Sequence, residues 1–84
     1  MAPKIHTVRV TTVRVNGNNK VKEVSGDLQR LIEYFGYTLE VGHSWNPKIN
    51  RNPKTIKGLI SAVQKASDIQ YGSTYIREIY ELLN

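Results

Sequence analysis

The start of the chain alternates between apolar and polar residues. Residues 4–15 are rich in β-branched side chains and repeat with period two, which predicts a strand. The four valines of this stretch change face midway, so a bulge or twist near Thr11 and Thr12 is predicted if all four are to be buried. Asn16-Gly17 supplies the positive φ angles of a tight turn. A second strand over residues 20–24 then completes a hairpin.

The next stretch has helical spacing. Ser25 or Asp27 can cap this helix by accepting from its first backbone N–H groups, and Gly36 can end it in a left-handed conformation. The predicted buried stripe has the spacing i, i+3, i+4, i+7 and consists of Leu28, Leu31, Ile32 and Phe35.

The second half of the chain mixes short patterns. Residues 37–41 alternate again and predict a third strand, and residues 42–51 have no periodicity, which indicates a loop of about ten residues. Asn52-Pro53 is typical of a helix start. A last helix is predicted over residues 74–83. We therefore expect one α+β domain over residues 1–84, with a small two-layer architecture. Its three-stranded sheet, a β-hairpin plus the third strand, packs with three helices in the order ββαβαα.

The composition of the chain indicates what class of protein this domain belongs to and where it functions. The 84 residues are 39% hydrophobic and 23% charged, as in ordinary globular proteins. No apolar run is long enough to span a bilayer, and the first residues lack the apolar core of a signal peptide, so we expect a soluble, cytoplasmic protein. Cysteine is absent and the two histidines stand alone, so neither a metal site nor a cofactor is expected.

The positive charge is concentrated in one segment. The formal net charge is +5. Between Gly42 and Ser67 there are five basic residues and no carboxylate, so this segment accounts for the whole excess. A local excess of this kind favours an anionic ligand or an acidic protein surface as the partner.

The strongest candidate site combines this segment with the start of the long helix. Unpaired N–H groups and the positive end of the helix dipole favour an anion there. The candidate ligand or phosphate-binding residues are Lys48, Arg51, Lys54, Thr55 and Lys57. The glycine-rich signatures of nucleotide-binding loops are absent. A helix start with solubilising lysines and no ligand is the alternative interpretation.

Aromatic and small polar residues surround the same segment. Trp45 can stack on a base or anchor a partner, but it can also fold back over a small core. The candidate stacking or anchor residues are Trp45, Tyr37, Tyr71 and Tyr75, and the candidate polar contacts are His43, Asn46, Asn50 and Ser73. For His43, a structural hydrogen bond is the alternative to a ligand contact.

Catalysis finds little support in the sequence. The seven carboxylates are scattered, and no close pair suggests general acid and base roles. We therefore expect a binding protein and not an enzyme. A small enzyme is the third hypothesis, ranked after two binding functions.

Residues 36–57 carry a resemblance. From Gly36 to Lys57 the sequence resembles small uncharacterised accessory proteins carried by tailed bacteriophages. The resemblance implies a compact, non-enzymatic protein that binds and neutralises a component of the host, as anti-CRISPR and other anti-defence proteins do. It also implies the host-cell cytoplasm as the location.

Two hypotheses for the function follow. The first is a binding protein that holds a phosphate-bearing ligand, either nucleic acid or a nucleotide signal, on the basic segment 43–57. The second is an inhibitor that docks the same basic surface on an acidic face of a host or defence protein. Tyrosine-rich helix ends and a small core are also compatible with a homo-oligomer.

Overall fold

The chain begins with the predicted hairpin. The computed structural model describes residues 4–70 and 76–83. Strand β1 spans His6–Arg14 and strand β2 spans Lys20–Gly26. Gly17 turns the chain between them with a φ of 82°, a conformation that L side chains rarely adopt. The Asn-Gly signal therefore located the turn correctly.

The hairpin ladder has no bulge. Partners run without interruption from His6 opposite Gly26 to Thr12 opposite Lys20. The bulge or twist at Thr11 and Thr12 was predicted for the case that all four valines are buried, and this condition is not met. The second pair of valines lies on the outer face of the sheet or beyond its end, and the side chain of Val15 is 73% exposed.

Three helices follow the hairpin in direct succession. They are α1 (Leu28–Tyr34), α2 (Gly36–Trp45) and α3 (Ile56–Gln70). Asp27 caps α1, since the backbone N–H of Arg30 donates to Asp27 Oδ1 at 2.8 Å. Gly36 opens α2 and has no positive φ, so the prediction that it ends α1 in a left-handed conformation is wrong.

The predicted third strand at residues 37–41 is instead part of α2. Leu39 and Gly42 are buried, at the spacing of one helical turn, and face α3. A Cβ built on Gly42 would meet Ala66 Cβ and would lie 2.7 Å from Ala66 Cα. The glycine thus lets the two helix backbones come into contact, and this packing overrides the local alternation.

The predicted last helix is instead a strand. β3 spans Ile76–Leu82 and pairs antiparallel with β1, which gives the sheet order β2-β1-β3. Its side chains alternate, with Tyr80 buried in the core and Ile79 partly exposed on the outer face. These residues form a strand because the second edge of β1 offers them backbone hydrogen bonds. The local sequence cannot reveal these bonds, because β1 is distant in the chain.

The predicted fold class is confirmed. The protein has a three-stranded sheet, built from the hairpin and one further strand, and three helices packed on one of its faces. The third strand and the last helix exchange places relative to the prediction, so the order is ββαααβ. The core contains residues from the sheet and all three helices: Val8, Val10, Leu31, Phe35, Leu39, Leu59, Val63 and Tyr80 among others. Within the described residues, no helix is long and apolar enough to cross a membrane.

Candidate functional site

The basic loop, which we define as residues 46–55, connects α2 to α3 and is anchored at two points. Ile49 inserts its side chain beside Gly42 and is only 4% exposed. Pro53 is also buried, next to the start of β1 and the beginning of α1. These two apolar anchors hold the loop against the helices. Arg51 lies between them, Lys48 and Lys54 lie on either side, and all three are exposed.

Asparagines fix the backbone of the basic loop. Asn46 Oδ1 accepts from the backbone N–H of Lys48 at 3.1 Å, and Asn50 Oδ1 accepts from that of Asn52 at 2.9 Å. Both are side-chain turns of the kind that Asn favours. The two predicted polar contacts, Asn46 and Asn50, therefore shape the loop with their side-chain oxygens, whereas a phosphate would bind their side-chain NH2 groups.

His43 is also engaged with the loop. Its Nδ1 lies 2.8 Å from the carbonyl oxygen of Ile49. Because a carbonyl only accepts, Nδ1 must carry the proton of this bond. The structural alternative for His43 is therefore the one that the geometry favours, and the ring ties the end of α2 to the buried anchor of the loop.

Thr55 is the cap of α3. Its Oγ1 accepts from the backbone N–H of Gly58 at 3.0 Å, and its carbonyl accepts from that of Leu59. The helix begins at Ile56, three residues after the predicted Asn52-Pro53 start. Gly58 packs closely against this cap, since a Cβ built on Gly58 would lie 3.0 Å from Thr55 Oγ1.

Replacing Thr55 by alanine should lower the free energy of unfolding by about 1 kcal/mol, because the hydroxyl fills a cap position. Because we assign the hydroxyl to the cap and not to the ligand, we expect the affinity for polyanions to change little. Denaturant unfolding and a binding titration on the same variant measure both quantities, with Asp27→Ala as the matched cap variant. A large loss of affinity at unchanged stability would instead assign Thr55 to the ligand.

The cations of the basic loop and the adjacent helix turn are exposed. Arg51 Nη1 contacts Glu40 Oε1 of α2 at 2.9 Å, and both side chains are partly exposed. Lys48, Lys54 and Lys57 form no salt bridge with any carboxylate in residues 4–70 and 76–83. Three of the four predicted cations are thus available to an external anion, and the fourth links the loop to α2.

Trp45 lies at the C-terminal end of α2, immediately before the loop. Its side chain is 74% exposed, so it does not cover the core. Trp45 precedes Lys48 by three residues, so one short segment carries both a flat apolar face and positive charge. This is the arrangement that unpaired bases and protein partners both use.

Tyr37, the one predicted tyrosine among the described residues, does not lie at the loop. Tyr37 is 76% exposed at the opposite end of α2, eight residues and therefore about 12 Å from Trp45 along the helix axis. It lines a separate cleft of about 310 Å³ together with residues that include Lys22, Tyr34, Gln70 and Glu78. The remaining predicted site residues, Tyr71, Ser73 and Tyr75, lie outside the described residues.

Sequence reasoning missed one concave feature. A groove runs between α3 and β3, and among the described residues Lys57 is the single predicted site residue that lines it. Since β3 was assigned to a helix, the side chains that β3 contributes could not be placed beside α3. In the parts of the chain that the structure describes, no three histidine, aspartate or glutamate side chains converge as metal ligands would.

No protein-family model, curated protein or solved structure matches this chain. The function is therefore inferred from the geometry above.

Proposed function

We propose that this chain is a non-enzymatic binding protein that holds single-stranded nucleic acid on the basic loop, with Trp45 stacked on a base. The observation that carries the proposal is the exposed indole directly before a loop that displays unpaired lysines. Stacking on an aromatic residue contributes about 1–3 kcal/mol per base and tolerates any base. A binder of this kind is compatible with the host-takeover or anti-defence role that the resemblance to phage proteins implies.

The hydrogen bonding of the loop indicates how the ligand is recognised. The side-chain oxygens of Asn46, Asn50 and Thr55 are directed to backbone N–H groups of the chain itself. What the surface offers outward is charge, in the form of flexible lysines. Contacts of this kind neutralise phosphates without reading base edges, so we expect little sequence preference.

The proposal is tested with the protein's own fluorophore, because Trp45 is the only tryptophan in the chain. Titration with a single-stranded oligothymidylate should quench its emission in a saturable way. Each phosphate neutralised on a single strand contributes about −0.7 to the slope of log K against log salt. With three or four cations engaged, the slope should therefore lie near −2 to −3.

Three comparisons make the titration decisive. A duplex of the same length should quench less, because its bases are already stacked. Mononucleotides should bind weakly, because they engage few of the cations. Stabilisation of the protein by one particular nucleotide, with a weak salt effect, would instead indicate a nucleotide signal. If the oligonucleotide neither quenched Trp45 nor showed salt-dependent binding, the proposal would be wrong.

A second candidate is docking of the same surface on an acidic face of a host or defence protein. It is favoured by the types of side chain exposed along and beside α2, namely Tyr37, Trp45 and Arg51. Such residues commonly dominate the binding energy of protein interfaces. Under this alternative, the oligonucleotide has no effect, and a defined stoichiometric complex with a host protein depends on Trp45.

A further inference from the structure

The groove between α3 and β3 is open and has a volume of about 520 Å³. Among the described residues, Lys57 is the one cation that it shares with the basic surface described above. Ile60 of α3 and Leu82 of β3 form its walls, and Tyr80 forms its floor. We call it the α3–β3 groove. Its volume falls in the range of sites that enclose a ligand or several side chains of a partner.

Gln64 fixes the boundary of the groove on the strand side. Its Nε2 donates to the carbonyl oxygen of Glu78 at 2.8 Å, and its Oε1 accepts from the backbone N–H of Tyr80 at 2.9 Å. β3 is an edge strand, and one side-chain amide thus takes the place of a neighbouring strand there. An occupant of the groove therefore binds through its side chains and does not add a strand at this position.

Among the described residues, both charged side chains that line the groove are basic, and Asp68 borders the groove by accepting from Gln64 Nε2 at 3.0 Å. Lys57 and Lys65 line it, and none of the described residues that line it is a carboxylate. The two lysines are eight residues apart on α3, about 12 Å along the helix axis, with Ile60 between them. The charge that complements this arrangement is a pair of anionic groups at a similar separation, with an apolar group between them.

The apolar part of the groove suits aliphatic side chains better than bases. Its walls are aliphatic, and the ring of Tyr80 is already packed edge-on against Phe35 with its hydroxyl donating to Glu78 Oε1 at 2.9 Å. Tyr80 is buried, so the described residues that line the groove offer no exposed aromatic face on which a nucleobase would stack.

We propose that the α3–β3 groove is a docking site for an acidic amphipathic helix of a partner protein. Aliphatic side chains of that helix enter between Ile60 and Leu82, and carboxylates on either side of them pair with Lys57 and Lys65. Helices bind apolar grooves in this way through residues spaced i, i+3, i+4 and i+7. This proposal does not depend on nucleic-acid binding by the basic loop.

The probe is a synthetic alanine-rich helical peptide with two glutamates about eight residues apart and two leucines midway between them. NMR titration of the full chain should shift the methyl signals of Ile60 and Leu82 in a saturable way. Two matched peptides serve as controls, one with lysines in place of the glutamates and one with serines in place of the leucines. Each control should bind at least tenfold more weakly.

Two charge-reversal variants separate this site from the basic loop. Lys65→Glu should weaken the peptide at least tenfold and leave oligonucleotide binding nearly unchanged, whereas Lys48→Glu should do the reverse. Both side chains are exposed, and the amide spectrum checks that each variant is folded. Peptide-induced shifts confined to the basic loop, equal binding of the lysine peptide, or an unaffected Lys65→Glu variant would each overturn the proposal.

Discussion

Replacing Lys48, Lys54 and Lys57 together by alanine should weaken binding of a single-stranded oligonucleotide about 100-fold at about 0.1 M salt. The three ammonium groups have no intramolecular salt bridge within the described residues. Their removal therefore costs contacts with the ligand and little else. Three phosphate contacts at about −0.7 each amount to a slope of about −2, and the variant should lose that part of the wild-type slope. Trp45 fluorescence at several salt concentrations measures both quantities.

A charge-matched variant is the control for this result. Arg14, Lys20 and Arg77 are exposed cations of the sheet, and replacing them by alanine removes the same net charge from another surface. This variant should bind nearly as tightly as the wild type. If both variants lost affinity equally, overall charge would explain the binding and the basic loop would have no special part in it. If neither lost affinity, the loop would not be the site.

Replacing Gly42 by alanine should destabilise the fold, although alanine is the better helix former. Relief of the glycine penalty within α2 is worth about 1 kcal/mol. The new methyl group opposes this gain in stability, because it would lie 2.7 Å from Ala66 Cα and 3.3 Å from Ile49 Cδ1. The first of these neighbours is backbone and cannot move unless the helices separate. Overpacking of this kind costs about 1–3 kcal/mol, so we expect a net loss. In a domain of this size, each kcal/mol lowers the Tm by about 4–8 °C, which thermal unfolding measures.

Gly36 provides the matched control for Gly42. It also lies in α2, its φ is not positive, and an added Cβ there would meet no atom within 4 Å. Gly36→Ala should therefore raise the stability by up to about 1 kcal/mol. The double variant Gly42→Ala/Ala66→Gly should recover part of the lost stability. The contact between the two helices then again contains one methyl group, carried by α2 instead of α3. A stabilising Gly42→Ala variant would contradict the packing of α2 on α3.

The comparison of sequence and structure is most informative at α2 and β3. The alternation of Tyr37, Leu39 and Val41 indicated a strand, whereas the relevant spacing runs from Phe35 through Leu39 to Gly42. That spacing was hidden because a glycine contributes to packing by the absence of a side chain, so it does not count as apolar. For β3, helical spacing was present by coincidence, and pairing with β1 more than sixty residues earlier decided the outcome.

The candidate site was predicted in part. Charge and sequence position were sufficient to identify the exposed lysines, because unpaired cations on a loop remain at the surface in almost any fold. The roles of Asn46, Asn50 and Thr55 depend on hydrogen bonds to backbone groups two or three residues away. The same residue types bind ligands or shape turns, and only the geometry distinguishes the two. The exposure of Trp45 likewise could not be predicted from the sequence, because it depends on where α2 ends.

The central position of β1 has a consequence for biosynthesis. The ribosome makes β1 before the three helices, and one of its two edges is paired by β3, which follows all three helices. Contacts between segments so distant in sequence slow folding, because the intervening chain must be ordered before they form. Until β3 is released from the exit tunnel, the nascent chain presents an unpaired edge of β1, and this is the interval in which the protein is most exposed to aggregation and to chaperones.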